Sequence, residues 1–232
     1  MAKMSSNTPR ELSLGRIAVL GGTGKEGSGL ALRWAKAGLE VIIGSRQREK
    51  GERVARELNA RLGRDLITGT DNLSAAQGAD VVVLTVPYAA HLKTLEAVRP
   101  ALVGKILVDV TVPLKPPQVS VVQLPPGGSA SQEAQDFLGD EVQVVAAFQN
   151  ISAEHLKNTD HEIDCDVLVC GDSKAARQVA IELARAAGMR GLHAGPLANA
   201  VVVEGLTSVL IGINKRYKAR GAGIRITGLD EA

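Results

Sequence analysis

The stretch that decides the fold is residues 17–46, IAVLGGTGKEGSGLALRWAKAGLEVIIGSR. The apolar run 17–20 predicts a buried strand, residues 30–36 predict a helix, and the β-branched run 39–43 predicts a second strand. Three glycines in the spacing G-x-G-x-x-G separate the first strand from the helix: Gly22, Gly24 and Gly27. In that spacing the glycines allow a tight turn, the approach of a diphosphate, and close helix–sheet packing. The amides at the helix N-terminus then face the diphosphate, so the stretch predicts a dinucleotide-binding βαβ unit.

The end of the second strand distinguishes NAD from NADP. An NAD site has an acid about 20 residues after the glycines, whereas an NADP site has an arginine nearby. Here Ser45 and Arg46 follow Gly24 by 21 and 22 residues, without an adjacent acid, and Lys50 comes one helical turn later. A hydroxyl and two cations suit a 2′-phosphate, so we predict NADP. The alternative interpretation is a solvated helix start whose charges balance one another: Arg46, Arg48, Glu49, Lys50 and Glu52.

The composition favours one substantial core and disfavours nucleic-acid and membrane functions. Of the 232 residues, 45% are hydrophobic but only 2% are aromatic, so Val, Leu, Ile and Ala must fill the core. Few aromatic rings are available for stacking bases, and interspersed charges sum to only +2. No apolar stretch approaches the length of a membrane span, and residues 1–14 lack the hydrophobic region of a signal peptide. We therefore expect a cytoplasmic protein.

The two cysteines, Cys165 and Cys170, support that location. They lie in DCDVLVC, which predicts a strand, and five positions along a strand place two side chains on opposite faces. Their separation is roughly 16 Å at about 3.3 Å per residue, which exceeds the reach of a disulfide. We predict two reduced thiols, as is usual in the cytoplasm.

Strands and helices alternate along the whole chain. Further strands are predicted at 66–68, 79–86, 105–110, 141–148, 165–169 and 189–193, and further helices at 47–62, 72–77, 89–103, 173–187 and 197–216. This order predicts an α/β fold, a Rossmann-type doubly wound and mostly parallel sheet with extra C-terminal strands and a C-terminal helical segment.

The predicted organisation has three parts. Residues 1–14 form a polar tail, 15–194 an NADP-binding domain with its sheet extension, and 195–232 a helical segment that contributes to the substrate site and to a dimer contact. The stretch 113–133, with five prolines, is predicted to be an exposed loop. A functional lid and a mobile surface insertion are both open interpretations of that loop.

The expected ligand site is poor in acids and bases. In an open α/β sheet, ligands bind beyond the carboxyl ends of the strands, where segments 85–88, 109–113 and 148–151 should converge. These segments supply mostly backbone, Val and Pro. Hydride transfer between two stacked rings needs close packing and the exclusion of water more than a proton shuttle. The pattern therefore favours direct hydride transfer.

The four histidines show no metal-ligand spacing, so no metal site is expected. No G-x-S-x-G motif indicates a nucleophile either. His91 lies nearest to the expected pocket, although a surface role or one satisfied within its helix is the favoured interpretation. Asp109, at a strand end, suits either a polar site residue or a cap of the following turn.

The set of motifs resembles one family. In order and spacing, residues 16–226 are similar to the NADPH:coenzyme F420 oxidoreductases through LGGTGKEG, IIGSRQREK, ITG, VLTVP, VLVCGD, AGPL and VVEGLT. The resemblance implies direct hydride transfer between NADP(H) and the 5-deazaflavin coenzyme F420 without a catalytic side chain. It also implies a homodimer.

The resemblance also implies two groups of binding residues. The cofactor group holds the phosphates and flanks the nicotinamide: Gly22, Thr23, Gly24, Lys25, Glu26, Gly27, Ser45, Arg46, Lys50, Val86, Pro87, Val112, Ala153 and Ala222. In this group the segment 222–224 resembles a strap that closes over the nicotinamide. The substrate group contacts the deazaflavin: Tyr88, Pro113, Gln149, Asn150, Ile151, Pro196 and Leu197.

Two positions depart from the archaeal pattern of the family. Gln149 and Asn150 stand where that pattern has a His-Thr pair, and an amide can still hydrogen-bond the carbonyl edge of the deazaflavin. Tyr88 replaces a Trp and keeps an aromatic wall. The basic C-terminal cluster is either a solvated helix end or a docking patch for an anionic substrate tail: Lys215, Arg216, Lys218, Arg220 and Arg225.

Two other functions stay open from the sequence. The first is another small NADPH-dependent reductase on the same scaffold, such as an imine or keto-acid reductase. Such enzymes usually add a long helical dimerisation domain, whereas this sequence has about 35 residues after Gly195. The second is a non-catalytic NADP-binding sensor, which would bind NADPH tightly without turning over any acceptor.

Overall fold

The computed structural model describes residues 14–229, and within that range it contains a single eight-stranded sheet. The strand order is β3-β2-β1-β4-β5-β6-β7-β8, and every neighbouring pair is parallel except β6–β7. The strands are β1 (Ile17–Leu20), β2 (Val41–Ser45), β3 (Ile67–Asp71), β4 (Val81–Leu84), β5 (Ile106–Asp109), β6 (Gln143–Ala146), β7 (Asp166–Gly171) and β8 (Arg190–His193).

Helices cover both faces of this sheet, as the near-continuous apolar runs of the strands require. They are α1 (Lys25–Lys36), α2 (Arg48–Leu62), α3 (Asn72–Gln77), α4 (His91–Val98), α5 (Ala130–Leu138), α6 (Ala153–Lys157), α7 (Lys174–Ala186) and α8 (Ala200–Tyr217). The strand order changes direction between β1 and β4, which are neighbours in the sheet and run parallel to each other. The predicted α/β, doubly wound fold is confirmed.

Two apolar cores lie on the two faces of the sheet. Ile17 and Val19 of β1 face one core, and Ala18 and Leu20 face the other. On the first face, the rings of Trp34 and Phe148 meet edge to face at 5.9 Å. Few aromatic residues are needed, because small and branched aliphatic side chains fill both layers.

The cysteines obey the same alternation. Cys165 packs in the first core and Cys170 in the second, and both thiols are free and buried. Burial raises the pKa of Cys170 to about 11, so its thiol stays protonated at neutral pH. The predicted placement of the two thiols on opposite faces of the sheet is confirmed.

The helices differ from prediction in several places, among them the unpredicted α6 and the shorter α4. Helix α1 begins at Lys25 rather than at residue 30, because the glycine-rich stretch itself continues as helix. Within it, Gly29 lies against Leu156, where an added Cβ would come within 2.6 Å of the Leu156 Cβ. Helix α5 begins inside the predicted loop 113–133, where Ser129 caps it by accepting from the Gln132 amide.

The predicted N-terminal tail, residues 1–14, lies outside the described residues apart from Leu14, which packs against the first core.

The expectation about membrane spans is wrong for one helix. The 21 residues Leu197–Tyr217 are long and apolar enough to cross a membrane by length and composition alone. The sequence reasoning missed this because Glu204 interrupts the apolar run. One such helix is weak evidence for a span. In the fold one side of α8 packs on the protein, with Glu204 buried, while Val202 and Val209 on the same helix are exposed.

Candidate functional site

A cavity of about 990 Å³ opens at the carboxyl ends of β1, β2, β4, β5 and β6. This is the edge at which open α/β sheets bind their ligands, and the volume suits a dinucleotide with a second ring system. The predicted site residues that line it are Thr23, Gly24, Lys25, Glu26, Ser45, Arg46, Lys50, Val86, Pro87, Val112, Gln149 and Ile151.

The glycine-rich turn fits a diphosphate. An added Cβ at Gly22 would lie 2.7 Å from the Val19 carbonyl oxygen, and one at Gly27 would lie 2.8 Å from the Gly22 Cα. Both positions are buried, and the surrounding backbone leaves no room for a side chain at either of them. Gly24 is different: it is exposed, and its nearest neighbour, the Gly21 carbonyl oxygen, is 3.4 Å from an added Cβ. As the N-cap of α1 it has no side chain to accept the first amides, which leaves them for an anion.

Glu26 places an unusual carboxyl group beside that turn. It lines the cavity, and its Oε1 is buried without a hydrogen-bond partner in the described part of the chain. Burial raises the pKa of Glu26 to about 8. The side chain is therefore largely protonated at neutral pH and carries no charge that would repel a diphosphate.

The adenosine end of the cavity carries the residues predicted for the 2′-phosphate. Ser45 is buried at the end of β2, and Arg46 and Lys50 are exposed. Neither cation forms an ion pair with a residue among 14–229, whereas the nearby Arg48 binds the Asp71 carboxylate at 2.8 Å. The balanced helix start considered above therefore does not describe Arg46 and Lys50, whose charges stay available to a phosphate.

The opposite end has an apolar floor. Val86, Val112 and Ile151 line it, and Gln149 lies beside them. Gln149 Nε2 donates to the Asp109 carbonyl oxygen at 2.8 Å, while its buried Oε1 has no partner among the described residues. Because that carbonyl accepts only, the amide orientation is fixed. Only one of the two N–H donors of Nε2 is used in this bond, so the other could make the expected contact to a deazaflavin carbonyl, and the free Oε1 offers an acceptor beside it.

Asn150 lies apart from the cavity. Its side chain is buried, and Nδ2 donates to the Asp166 carbonyl oxygen at 2.8 Å and to the Cys165 Sγ at 3.3 Å. The Ile224 amide also donates to this Sγ, at 3.4 Å. Asn150 therefore holds the start of β7 and, through Cys165, the C-terminal segment.

Other predicted residues also do not line the cavity. Tyr88 is half-buried and donates through its hydroxyl to Glu133 at 2.8 Å, and Leu197 is fully buried in the second core. Ala222 donates through its amide to Asn214 Oδ1 at 2.9 Å. Three more predicted residues lie outside the lining of this cavity: Pro113, Ala153 and Pro196.

His91 and Asp109 form a buried pair that the sequence did not predict. Both side chains are fully buried, and His91 Nε2 lies 2.7 Å from Asp109 Oδ2. Burial opposes a charge on His91, but the Asp109 carboxylate outweighs it and raises the pKa of the imidazole. The favoured surface role of His91 is wrong. Asp109 does cap its turn, since its Oδ1 accepts from the Thr111 amide at 3.0 Å.

Comparison with known proteins assigns the family. The model of the family NADP oxidoreductase coenzyme F420-dependent matches residues 16–113. The F420-dependent NADP reductase of Methanothermobacter thermautotrophicus is 45% identical over 223 residues, which cover 93% of this chain and 96% of that protein. The chain belongs to the F420-dependent NADP reductase family. The reductase of Methanocaldococcus jannaschii is 42% identical over 227 residues, 93% of this chain and 99% of that protein.

A solved structure agrees with the F420-dependent NADP reductase family. The crystal structure of a candidate F420-dependent NADP reductase from Arthrobacter sp. FB24 superposes with a TM-score of 0.77 at 26% identity. It covers 92% of this chain and 99% of that one. The resemblance drawn from the motifs is confirmed.

Several cavity residues were not predicted as binding residues, among them Asn72, Phe148 and Thr207. Thr207 of α8 lines the cavity, and its hydroxyl donates to the Gln149 carbonyl oxygen at 2.7 Å. Asn72 Oδ1 accepts from the Gly21 amide at 3.2 Å and fixes the glycine turn. Phe148 has a φ of 72°, which is rare for a residue with a side chain. Of these residues, only Thr207 gave a signal in the sequence, as a polar residue inside an apolar helix.

Proposed function

We infer that the protein is an NADP-dependent oxidoreductase that transfers a hydride reversibly between NADP(H) and coenzyme F420. The reaction is F420H2 + NADP+ = F420 + NADPH + H+. The observation that carries the inference is one cavity with two unlike ends. Unpaired cations lie at one end and an apolar floor at the other, on a chain of the F420-dependent NADP reductase family.

Each part of the cavity has a distinct task. The amides that follow Gly24 bind the diphosphate, and Arg46 and Lys50 bind the 2′-phosphate. The floor of Val86, Val112 and Ile151 excludes water and keeps two planar rings in contact. When bound, NADPH supplies a hydride from nicotinamide C4 and the deazaflavin accepts it at C5.

Among residues 14–229, none that lines the floor has a side chain suited to proton transfer in this step. Thr111, Gln149 and Thr207 are its polar members, and none of them is an acid or a base near neutral pH. A reductase acting on an alcohol or an imine would need such a group at the reacting atom. This observation favours ring-to-ring hydride transfer over the other small NADPH-dependent reductases.

Several site assignments belong to the proposal. Gln149 and Ile151 lie under the deazaflavin, with Tyr88 and Pro113 behind the floor. Four other assigned residues lie outside the cavity lining, so we propose that they contribute to the site through the segments that carry them: Ala153, Ala222, Pro196 and Leu197. Asn150 supports the site from behind through its bond to the backbone of β7.

The test is anaerobic mixing of the purified protein with NADPH and oxidised F420, followed by the deazaflavin absorbance. NADH and FMN serve as parallel controls. Rapid bleaching with NADPH and F420 alone is the expected result. A protein that binds NADPH but bleaches no acceptor would overturn the proposal and favour the sensor interpretation.

We further propose a homodimer that buries the outer side of α8. Val202, Val209 and Ile213 are exposed on that helix, and Val122 and Leu124 of the preceding loop are exposed as well. Water contact of this apolar surface is unfavourable, and a second copy would cover it. The buried Glu204 binds the start of α5 through the Ala130 and Ser131 amides, which favours a packed helix over a membrane span.

Light scattering at several protein concentrations, in wild type and Val209→Glu, tests the dimer. The wild type should have the mass of two chains, and the variant should have that of one.

A cytoplasmic location is proposed on the two free, buried thiols, and fractionation of cells without detergent tests it.

A further inference from the structure

We propose that His91 is a positioning residue for hydride transfer, and that it acts through Asp109 to fix Thr111 and Gln149 in the cavity floor. The proposal rests on the proposed function, because it concerns the floor on which the two rings would stack. His91 itself does not line the cavity. Its effect must therefore pass through the residues to which it is bonded.

Asp109 connects His91 to the floor by three separate hydrogen bonds. Its Oδ2 binds His91 Nε2 at 2.7 Å, and its Oδ1 accepts from the Thr111 amide at 3.0 Å. Its main-chain oxygen accepts from Gln149 Nε2 at 2.8 Å. Thr111 and Gln149 both line the cavity, on β5 and β6 sides respectively. One buried aspartate thus orients two of the three polar residues of the floor, Thr111 and Gln149.

The backbone around Gln149 needs this restraint. Phe148 adopts a φ of 72°, a left-handed conformation that is unfavourable for a residue with a side chain. The Gln149 carbonyl oxygen is held from the other side by the Thr207 hydroxyl at 2.7 Å. A strained segment persists only where the surrounding bonds determine it, and Asp109 and Thr207 supply two of them.

The surroundings of the pair show what His91 does for Asp109. Asp109, Glu204 and Glu133 all act electrostatically on His91, and the Tyr88 ring stacks on it with centroids 6.2 Å apart. His91 Nε2 is hydrogen-bonded to Asp109 Oδ2, whereas His91 Nδ1 has no partner among the described residues. Without His91, the buried Asp109 side chain would lose this hydrogen bond. A buried polar group that loses its partner is destabilised, which favours a shift of the segment that carries Asp109.

The test compares three variants of the full chain. His91→Leu removes the bond to Asp109, and His91→Gln keeps a neutral N–H donor. Leu95→Ala is the matched control, since Leu95 is fully buried on the same helix but has no bond to the floor. Thermal unfolding, NADPH affinity, and kcat and KM for F420 are measured for each. Hydrogen exchange of the Gln149 side-chain amide, followed by NMR without any cofactor, reports the floor directly.

We expect His91→Leu to lower kcat by about 10-fold to 100-fold, because displacement of a positioned group by about 1 Å costs on that order. NADPH affinity should stay within about twofold, since the phosphate residues lie at the other end. His91→Gln should recover kcat to within about threefold of wild type. Exchange at Gln149 should be faster only in His91→Leu.

Equal kcat in His91→Leu and Leu95→Ala, at equal loss of thermal stability, would overturn the proposal and leave His91 a purely structural residue. Unchanged Gln149 exchange in His91→Leu would overturn it as well. A wild-type protein that does not reduce F420 would instead contradict the proposed function. In that case the exchange experiment, which uses no cofactor, still decides whether His91 orders the floor.

Discussion

Replacing Arg46 with alanine tests whether this residue binds the 2′-phosphate of NADPH. Arg46 lines the cavity at the end of β2, and its guanidinium has no ion-pair partner within residues 14–229. Truncation therefore removes a contact to the ligand without stranding a protein charge. Lys50 and the Ser45 hydroxyl remain at the same end of the cavity.

The size of the effect follows from the kind of bond that is lost. A hydrogen bond to a charged group contributes about 1.5 to 3 kcal/mol, and exposure of Arg46 favours the lower part of that range. A loss of about 2 kcal/mol corresponds to roughly 30-fold weaker NADPH binding. NADH, which lacks the 2′-phosphate, should bind within about twofold of wild type. The preference for NADPH should therefore narrow by roughly the same factor.

Fluorescence titration of both nucleotides measures this preference directly. Arg48→Ala is the matched control, because Arg48 lies two residues away but binds Asp71 and does not line the cavity. The difference between wild type and Arg46→Ala should also shrink as salt is raised, since exposed charges are screened. An unchanged NADPH-to-NADH ratio in Arg46→Ala, or an equal loss in Arg48→Ala, would refute the 2′-phosphate assignment.

Three further predictions concern stability and the glycine turn. Burial raises the pKa of Glu26 from 4.5 to about 8. Between these two pH values the folded protein keeps a proton that the unfolded chain releases, so the stability of the fold decreases as the pH rises. Glu26→Gln should flatten the dependence of Tm on pH between those values, and parallel Tm curves would contradict it. Gly27→Ala should abolish NADPH binding and lower Tm, because the Cβ would lie 2.4 Å from the Thr85 hydroxyl oxygen. Arg33→Met should lower the free energy of unfolding by about 3 kcal/mol, because the buried Arg33 guanidinium donates to five main-chain carbonyl oxygens. Denaturant titration measures this change. Arg185→Ala is the control, because Arg185 is exposed and its loss should change the free energy of unfolding by less than about 0.5 kcal/mol.

The parts of the site that were predictable are those with local causes. The roles of Gly22 and Gly27 follow from backbone geometry within a few residues, and the cations at the end of β2 follow from their distance to the turn. These residues lie together in one cavity or directly behind it. Family membership was predictable for the same reason, because its motifs are local and occur in a fixed order.

Long-range partners were not predictable from the residues alone. The favoured interpretation of His91 was a role at the surface or one satisfied within its helix, yet it is buried against Asp109, 18 positions away. Gln149 and Asn150 looked equivalent as adjacent amides. In the fold one lines the cavity with a free oxygen, and the other is engaged with β7 behind it.

The sequence by itself determined the α/β fold class, the position of the glycine-rich turn, and the family with its NADP cofactor, because each depends on residue type and spacing along the chain. Only the tertiary structure decided which polar groups are paired. Hydrogen bonds such as those from Arg33 to residues more than 120 positions away depend on which segments the sheet brings together. Among the described residues, that choice leaves Arg46 without an ion pair and the Gln149 Oε1 without a hydrogen bond at the cavity, while Asn150 Nδ2 and His91 Nε2 are bonded to the protein.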